Sequence, residues 1–355
     1  MDIEGDEVQD ILLVQVSRIG DTLLATPALR ALATAFPEAR LSCLAHPKRA
    51  EILQGLPFVH HLGRITKKLA PLRGWLPGRS HDLALVFGFD QPLVAYALRV
   101  ARRVVAFRQG NPALEAQLWR VVEEPAFQSR HAVDYQLALT DAIGLPSAGK
   151  YLSYVVSAAE REWASTRLAP LRTSGARPLI GLQIASFPTK GYRDWPLAHF
   201  VELCRRIQAE HPGVHFLIFG GSLEQKRTRA LHAALPDCSD HCAGSLTLRQ
   251  TGALMNEVDL YVGVDTGPTH IMGALHRPMV AMYHGHLPSR VLAPLEHPCL
   301  WVVDHPRAGQ GTSPDDYPMS DISVDAVMAK VREALASTSR GPRPSSPCMA
   351  QSGPA

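Results

Sequence analysis

Twice along this chain, short apolar runs alternate with segments of helical spacing, and a polar break separates the two series. That repeat is the strongest constraint on the fold. Two parallel strands cannot be joined by a tight hairpin and need a crossover, so strand–helix alternation implies a parallel, doubly wound sheet. In the first series the spacing predicts strands over 11–16, 41–45, 83–87 and 104–107. It predicts helices over 22–35, 48–54, 93–100 and 133–143, the last ended by Gly144 and Pro146. Residues 158–168 read as a helix and 173–178 as a linker end. The second series gives strands over 179–184, 214–219, 260–264 and 278–283. Its helices fall over 197–210, 223–235, 248–256 and 270–275, with a last amphipathic helix over 324–335. The expected fold class is α/β. It has one Rossmann-like domain over 8–170, a second over 178–336, and a Ser/Pro/Gly-rich disordered tail over 337–355. Ligands of such sheets bind beyond the carboxyl ends of the strands, and two such domains facing each other make a cleft.

With 355 residues, 46% of them hydrophobic, each domain can build a core. The net charge of +3 argues against nucleic acid as the main partner. The charge is uneven, however. Between Arg64 and Arg108, nine basic residues (Arg64, Lys67, Lys68, Arg73, Arg79, Arg99, Arg102, Arg103 and Arg108) face only Asp82 and Asp90. Such a face suits an acidic substrate or an anionic membrane surface, although a merely solvated surface is the commoner explanation. Leu69, Leu72, Trp75 and Leu76 interleave with Lys67, Lys68, Arg73 and Arg79, which favours interfacial contact. The six cysteines are scattered, the first ten residues are acidic, and no apolar run is long enough to span a bilayer. The expectation is a cytoplasmic protein with reduced thiols, peripheral at most on the inner membrane.

Four turns carry candidate chemistry. Ser17 to Thr22 joins the first strand to the first helix, and Asp21 there reads either as a general base or as a helix N-cap. A helix dipole would lower its pKa and weaken it as a base unless the site is dry. This turn lacks the GxGxxG pattern, which disfavours a nicotinamide dinucleotide. The loop ASFPTKGYRDWP, residues 185–196, offers the hydroxyls of Ser186 and Thr189 and the charges of Lys190 and Arg193. Charge of that kind stabilises a departing diphosphate. Alternatively the loop is solvated and Asp194 caps the next helix. Gly220-Gly221-Ser222-Leu223-Glu224 allows close backbone approach, with Glu224 able to accept from ribose hydroxyls or simply to start a helix. In Gly263-Val264-Asp265-Thr266-Gly267-Pro268-Thr269-His270, a strand breaks into a helix. Backbone N–H groups at Thr266 and Gly267 can meet phosphate there, and Asp265 can accept from sugar hydroxyls. His270 reads as a packed or capping residue rather than a catalyst. Cys238, His241 and Cys242, and separately His284 and His286, lack partners at metal-site spacing, so no metal is expected.

In order along the chain, SRIGDTLLATPALRAL, RDWP, GGSLEQK and GVDTGPTHIMGAL resemble the bacterial lipopolysaccharide core heptosyltransferases of glycosyltransferase family 9. The match spans roughly residues 11–335. The resemblance implies a GT-B fold, an acceptor-binding first domain and a nucleotide-sugar-binding second domain. It implies inverting transfer of heptose from ADP-heptose to a lipid A–Kdo or heptosyl acceptor. It implies Asp21 as base, Arg193 where the family has a phosphate-binding lysine, Glu224 as the family's acid after the third strand of the second domain, and Asp265, Thr266 and Gly267 at the donor. Lys67, Lys68, Arg73 and Arg79 are then expected to hold the acidic, lipid-linked saccharide at the inner membrane surface. No cofactor is expected beyond stimulation by a divalent cation. The segment Tyr283-His284-Gly285-His286 departs from the family's Phe-Gly-Pro-Thr, and Pro318-Met319 stands for its Cys-Met. The alternatives are a family 9 transferase using another nucleotide sugar, or a nucleotide-sugar epimerase or binding protein on the same fold.

Overall fold

A computed structural model describes residues 8–75, 78–126 and 128–338. In it, twelve parallel-paired strands form two six-stranded sheets. The strands are β1 Asp10–Gln15, β2 Arg40–Ala45, β3 His61–Arg64, β4 His81–Phe87, β5 Ala101–Phe107 and β6 Arg120–Val122, then β7 Leu179–Gln183, β8 His215–Phe219, β9 Ser239–His241, β10 Leu260–Val264, β11 Met279–Tyr283 and β12 Leu300–Asp304. The helices are α1 Ile19–Leu24, α2 Thr26–Ala35, α3 Gln91–Val100, α4 Pro112–Glu115, α5 Ala132–Asp141 and α6 Ala158–Thr173, then α7 Leu197–Glu210, α8 Gln225–Ala234, α9 Leu248–Glu257, α10 Gly267–Leu275, α11 Ser289–Leu292 and α12 Val324–Thr338.

The first sheet has the order β3-β2-β1-β4-β5-β6, and the second repeats it as β9-β8-β7-β10-β11-β12. Each is the doubly wound order of a Rossmann-like domain, in which chain direction across the sheet reverses between the first and fourth strands. All residues of β7, β10 and β11 are buried, as sheets covered on both faces require. One face of the second sheet packs Ile180, Phe216 and Val262 against Phe200 and Ile207 of α7 and Val327 and Val331 of α12. In the first sheet, Leu12, Val86 and Val104 pack with Leu93, Val94 and Ala97 of α3.

The chain divides into two compact units. The first runs to Ser157 and takes back Arg290–Glu296, while the second holds Ala158–Ser289 and continues from His297. The sequence reading set the boundary at 170–178. The helix α6 belongs instead with the second unit, where Arg249 of α9 grips its Glu160 at 2.7 Å. Arg30 of α2 is buried in the first unit and fixes the segment after α5, donating to the carbonyls of Ala148, Gly149 and Tyr151 and to the Ser153 hydroxyl.

The four strands that the sequence reading missed, β3, β6, β9 and β12, are the four sheet edges. Three of them, β3, β6 and β9, are only three or four residues long and lack the continuous apolar run of a central strand, while β12 carries one over 300–303 but is only partly buried. The helix expected over 22–35 is two helices. Pro27 has no N–H for the Leu23 carbonyl, and the Thr26 hydroxyl takes that acceptor at 2.6 Å. The expected tail lies outside the described residues, except that α12 reaches Thr338. Among the described residues, no helix is long and apolar enough to cross a membrane.

Candidate active site

In the second unit, the switch point lies between the carboxyl ends of β7 and β10. The loop after β7 is clasped by Asp194, whose Oδ1 accepts from Ser186 N at 2.7 Å and lies 2.7 Å from Ser186 Oγ. Arg227 of α8 donates to the carbonyls of Ile184 and Trp195, and Trp195 is buried, donating to Ile322 O at 2.8 Å. Ser186 is therefore a brace of the loop; its hydroxyl faces Lys190 O and Asp194. Thr189 stays exposed.

This bracing aims Arg193 at the end of β10. Its Nη1 donates to Asp265 Oδ2 at 2.9 Å, with side chains only 16% and 4% exposed. At the other oxygen of Asp265, His270 Nε2 lies 3.5 Å from Oδ1. Burial alone would raise the Asp265 carboxyl. The His270 and Arg193 partners outweigh it and hold the group below the ordinary carboxylate range. Tyr192 lies near both cations of its loop, its ring centroid 5.5 Å from Lys190 Nζ and 5.6 Å from the Arg193 guanidinium carbon. Burial pushes its phenol up, but those cations win and hold it below its usual value.

The turn after β10 is built as a helix start. Thr266 is the N-cap of α10, Pro268 sits in the first turn, and the buried Thr269 hydroxyl donates to Val264 O at 2.6 Å. The Gly267 N–H lies in the first turn, where the helix itself supplies no acceptor. The helix thus begins three residues before the expected 270. After β8, the Glu224 carboxylate accepts from Gly221 N, and burial raises its pKa. The helix-start reading of Glu224 therefore has the geometry, on the strand next to the switch point.

Sequence reasoning left the end of β11 unassigned. There His284 is buried beside Tyr192 and Tyr317, with ring centroids 5.0 and 5.6 Å away. His284 Nδ1 accepts from His286 N at 3.1 Å. Burial, then the Arg193 charge and the neighbouring His305 and His286, pull its pKa down to about 4. The unfolded chain takes up this proton near the ordinary 6.5, whereas the folded chain does so only near 4. Stability is therefore lost as pH falls from 6.5 toward 4. Urea unfolding at pH 7 and 5 should differ by about 2 kcal/mol from this group, and His284→Asn should remove that part of the difference. Gly285 is required by close approach. A Cβ there would stand 2.1 Å from Cδ1 of Tyr317, which is buried and tethered through its hydroxyl to Gly311 O at 2.8 Å. Gly285→Ala is expected to lower stability by about 2 kcal/mol or more in thermal unfolding.

In the first unit, Asp21 lies just beyond the carboxyl end of β1, beside the β1/β4 switch point. Of the two readings of Asp21, the N-cap one does not hold. Arg18 is the cap, and Asp21, third in α1, reaches back to accept from Arg18 N at 3.3 Å. The turn is pinned by Arg49, which donates to Ser17 O at 2.6 Å, and by Gln15, which donates to Asp21 O at 3.1 Å. Lys67, Lys68, Arg73 and Arg79 are exposed, and Lys67 pairs with Asp90 after β4 at 3.5 Å. Among the described residues, no three His, Cys, Asp or Glu side chains converge as a metal ion would require.

Two doubly wound domains, the second with a cation, a carboxylate and a helix N-terminus at its switch point, fit a GT-B glycosyltransferase. Residues 96–303 match glycosyltransferase family 9 (heptosyltransferase), and the chain belongs to that family. The chain is similar to lipopolysaccharide heptosyltransferase 2 of Salmonella typhimurium, with 25% identity over 353 residues, 92% of this chain and 98% of the relative. Among solved structures it is similar to a family 9 glycosyltransferase of Veillonella parvula, at TM-score 0.79 and 17% identity over 95% of this chain and 99% of that one. It is also similar to the ADP-heptose lipopolysaccharide heptosyltransferase II of E. coli, at TM-score 0.76 and 22% identity, covering 93% and 100%.

Proposed function

We propose that this glycosyltransferase moves a heptose from ADP-heptose to a saccharide of the lipopolysaccharide core, with inversion at the anomeric carbon. The observation that carries the reading is the Arg193–Asp265 pair at the first turn of α10. A sugar joined to a diphosphate presents hydroxyls and anionic oxygens side by side, and this turn offers an acceptor and donors side by side. Donor binding exchanges the pair: Arg193, with Lys190 and Thr189, turns to the diphosphate, and Asp265 takes the sugar hydroxyls. The N–H groups of Thr266 and Gly267 meet the phosphate, and the Glu224 oxygen that does not accept from Gly221 N meets the ribose. The names of the relatives support the ADP and heptose parts of the donor.

In the transfer step the acceptor oxygen bonds to the anomeric carbon while the bond from that carbon to the phosphate oxygen breaks. The acceptor proton passes to Asp21, and the electron pair leaves with ADP. Arg193, Lys190 and the backbone donors meet the charge that grows on the leaving diphosphate. Lys67, Lys68, Arg73 and Arg79 hold the acidic, lipid-linked acceptor on the cytoplasmic side of the inner membrane. No cofactor takes part, and a divalent cation does no more than stimulate.

A thermal-shift panel of ADP-, UDP- and GDP-sugars tests the donor. ADP-heptose at about a hundredfold over its Kd should stabilise the protein by about 2.7 kcal/mol. Selective stabilisation by a UDP- or GDP-sugar would overturn the heptose reading and leave the family intact.

A further inference from the structure

Three of the large apolar side chains most exposed in the first unit stand within seven residues: Leu69 at 44%, Leu72 at 76% and Trp75 at 70%. They are held out by a braced turn. Ala70 is buried beneath it, and Arg99 donates to Ala70 O at 2.7 Å and to Arg73 O at 3.0 Å. The Trp75 N–H already donates to Pro71 O at 2.6 Å, and the Arg99 guanidinium lies 4.5 Å from its ring centroid. What Trp75 offers outward is therefore apolar ring. No acidic residue occurs between Glu51 and Asp82, while Lys68, Arg73 and Arg79 flank the turn, with no carboxylate partner among the described residues.

We infer that this turn is a docking wedge for an anionic phospholipid bilayer. Leu72 and Trp75 enter the headgroup–acyl boundary, and the flanking cations meet lipid phosphates. Charge complementarity selects this occupant over a second copy of the chain, which would bring the same cations against themselves. The wedge would carry the enzyme to its lipid-linked acceptor. Its binding to lipid nevertheless requires no saccharide and does not depend on the donor.

The test is sedimentation of the full chain with vesicles free of any saccharide. Binding to phosphatidylglycerol vesicles should exceed binding to phosphatidylcholine by about tenfold or more and weaken with salt. Leu72→Glu, at a site exposed enough to leave folding intact, should cut vesicle affinity about tenfold or more. Brominated acyl chains should quench tryptophan emission in the wild type and lose that part of the quenching in Trp75→Phe. Binding unchanged by Leu72→Glu, binding only when a lipid-linked saccharide is present, or a dimer in ultracentrifugation that Leu72→Glu dissolves would each overturn the inference. A failure here leaves the donor panel unaffected, and failure of the panel leaves vesicle binding unaffected.

Discussion

Asp21→Asn should lower kcat about a thousandfold while leaving the fold and donor binding in place. General base catalysis contributes about 10²- to 10⁴-fold, and the amide removes the basic oxygen without removing the shape. Asn can still accept from Arg18 N, the 3.3 Å bond that Asp21 makes in the first turn of α1, so the turn after β1 keeps its anchor. The pinning bonds from Arg49 and Gln15 do not involve the carboxylate. Steady-state kinetics with a thermal-shift control separates the possibilities. A fall in kcat with an unchanged ADP-heptose shift assigns the proton transfer. A kcat within tenfold of wild type would place the base elsewhere and leave Asp21 as a helix-start residue.

Arg193→Met should damage both stability and donor binding. It strands Asp265, 4% exposed, without its 2.9 Å partner. Breaking a buried pair on one side costs about 3–5 kcal/mol, which corresponds to a fall in Tm on the order of 10 °C for a unit of this size. Arg193→Met with Asp265→Asn should recover most of the stability, since no charge is then left buried alone, but should not recover ADP-heptose binding. Arg193→Lys keeps the charge and should retain most of the melting temperature while losing the planar fork. If the double variant bound donor normally, the pair would be structural only.

The apolar runs announced the central strands of both sheets because those strands are buried on both faces. The edges β3, β6 and β9 are too short for that signature, β12 has the apolar run without the burial, and pairing to one neighbour only became visible with the fold. The turns at Asp21, Arg193, Glu224 and Asp265 were legible as strand-to-helix breaks rich in glycine and polar residues. Their partnerships were not. Nothing in the spacing of residues 185–196 says that Ser186 clasps Asp194, or that Arg193 reaches a carboxylate seventy-two residues later. His270 read as a packed or capping residue, yet it approaches the Asp265 oxygen that Arg193 does not hold. Tyr192 and His284 went unassigned because an aromatic near two cations, and a histidine edge-on to that aromatic, are facts of three-dimensional contact.

The account stands or falls most directly on transfer itself. Purified chain, ADP-heptose and a lipid A–Kdo or heptosylated core acceptor should yield a heptosylated product and one ADP per heptose transferred, with the anomeric configuration inverted when read by NMR. Release of ADP without the acceptor, retention of configuration, or turnover with a UDP-sugar and none with ADP-heptose would contradict it.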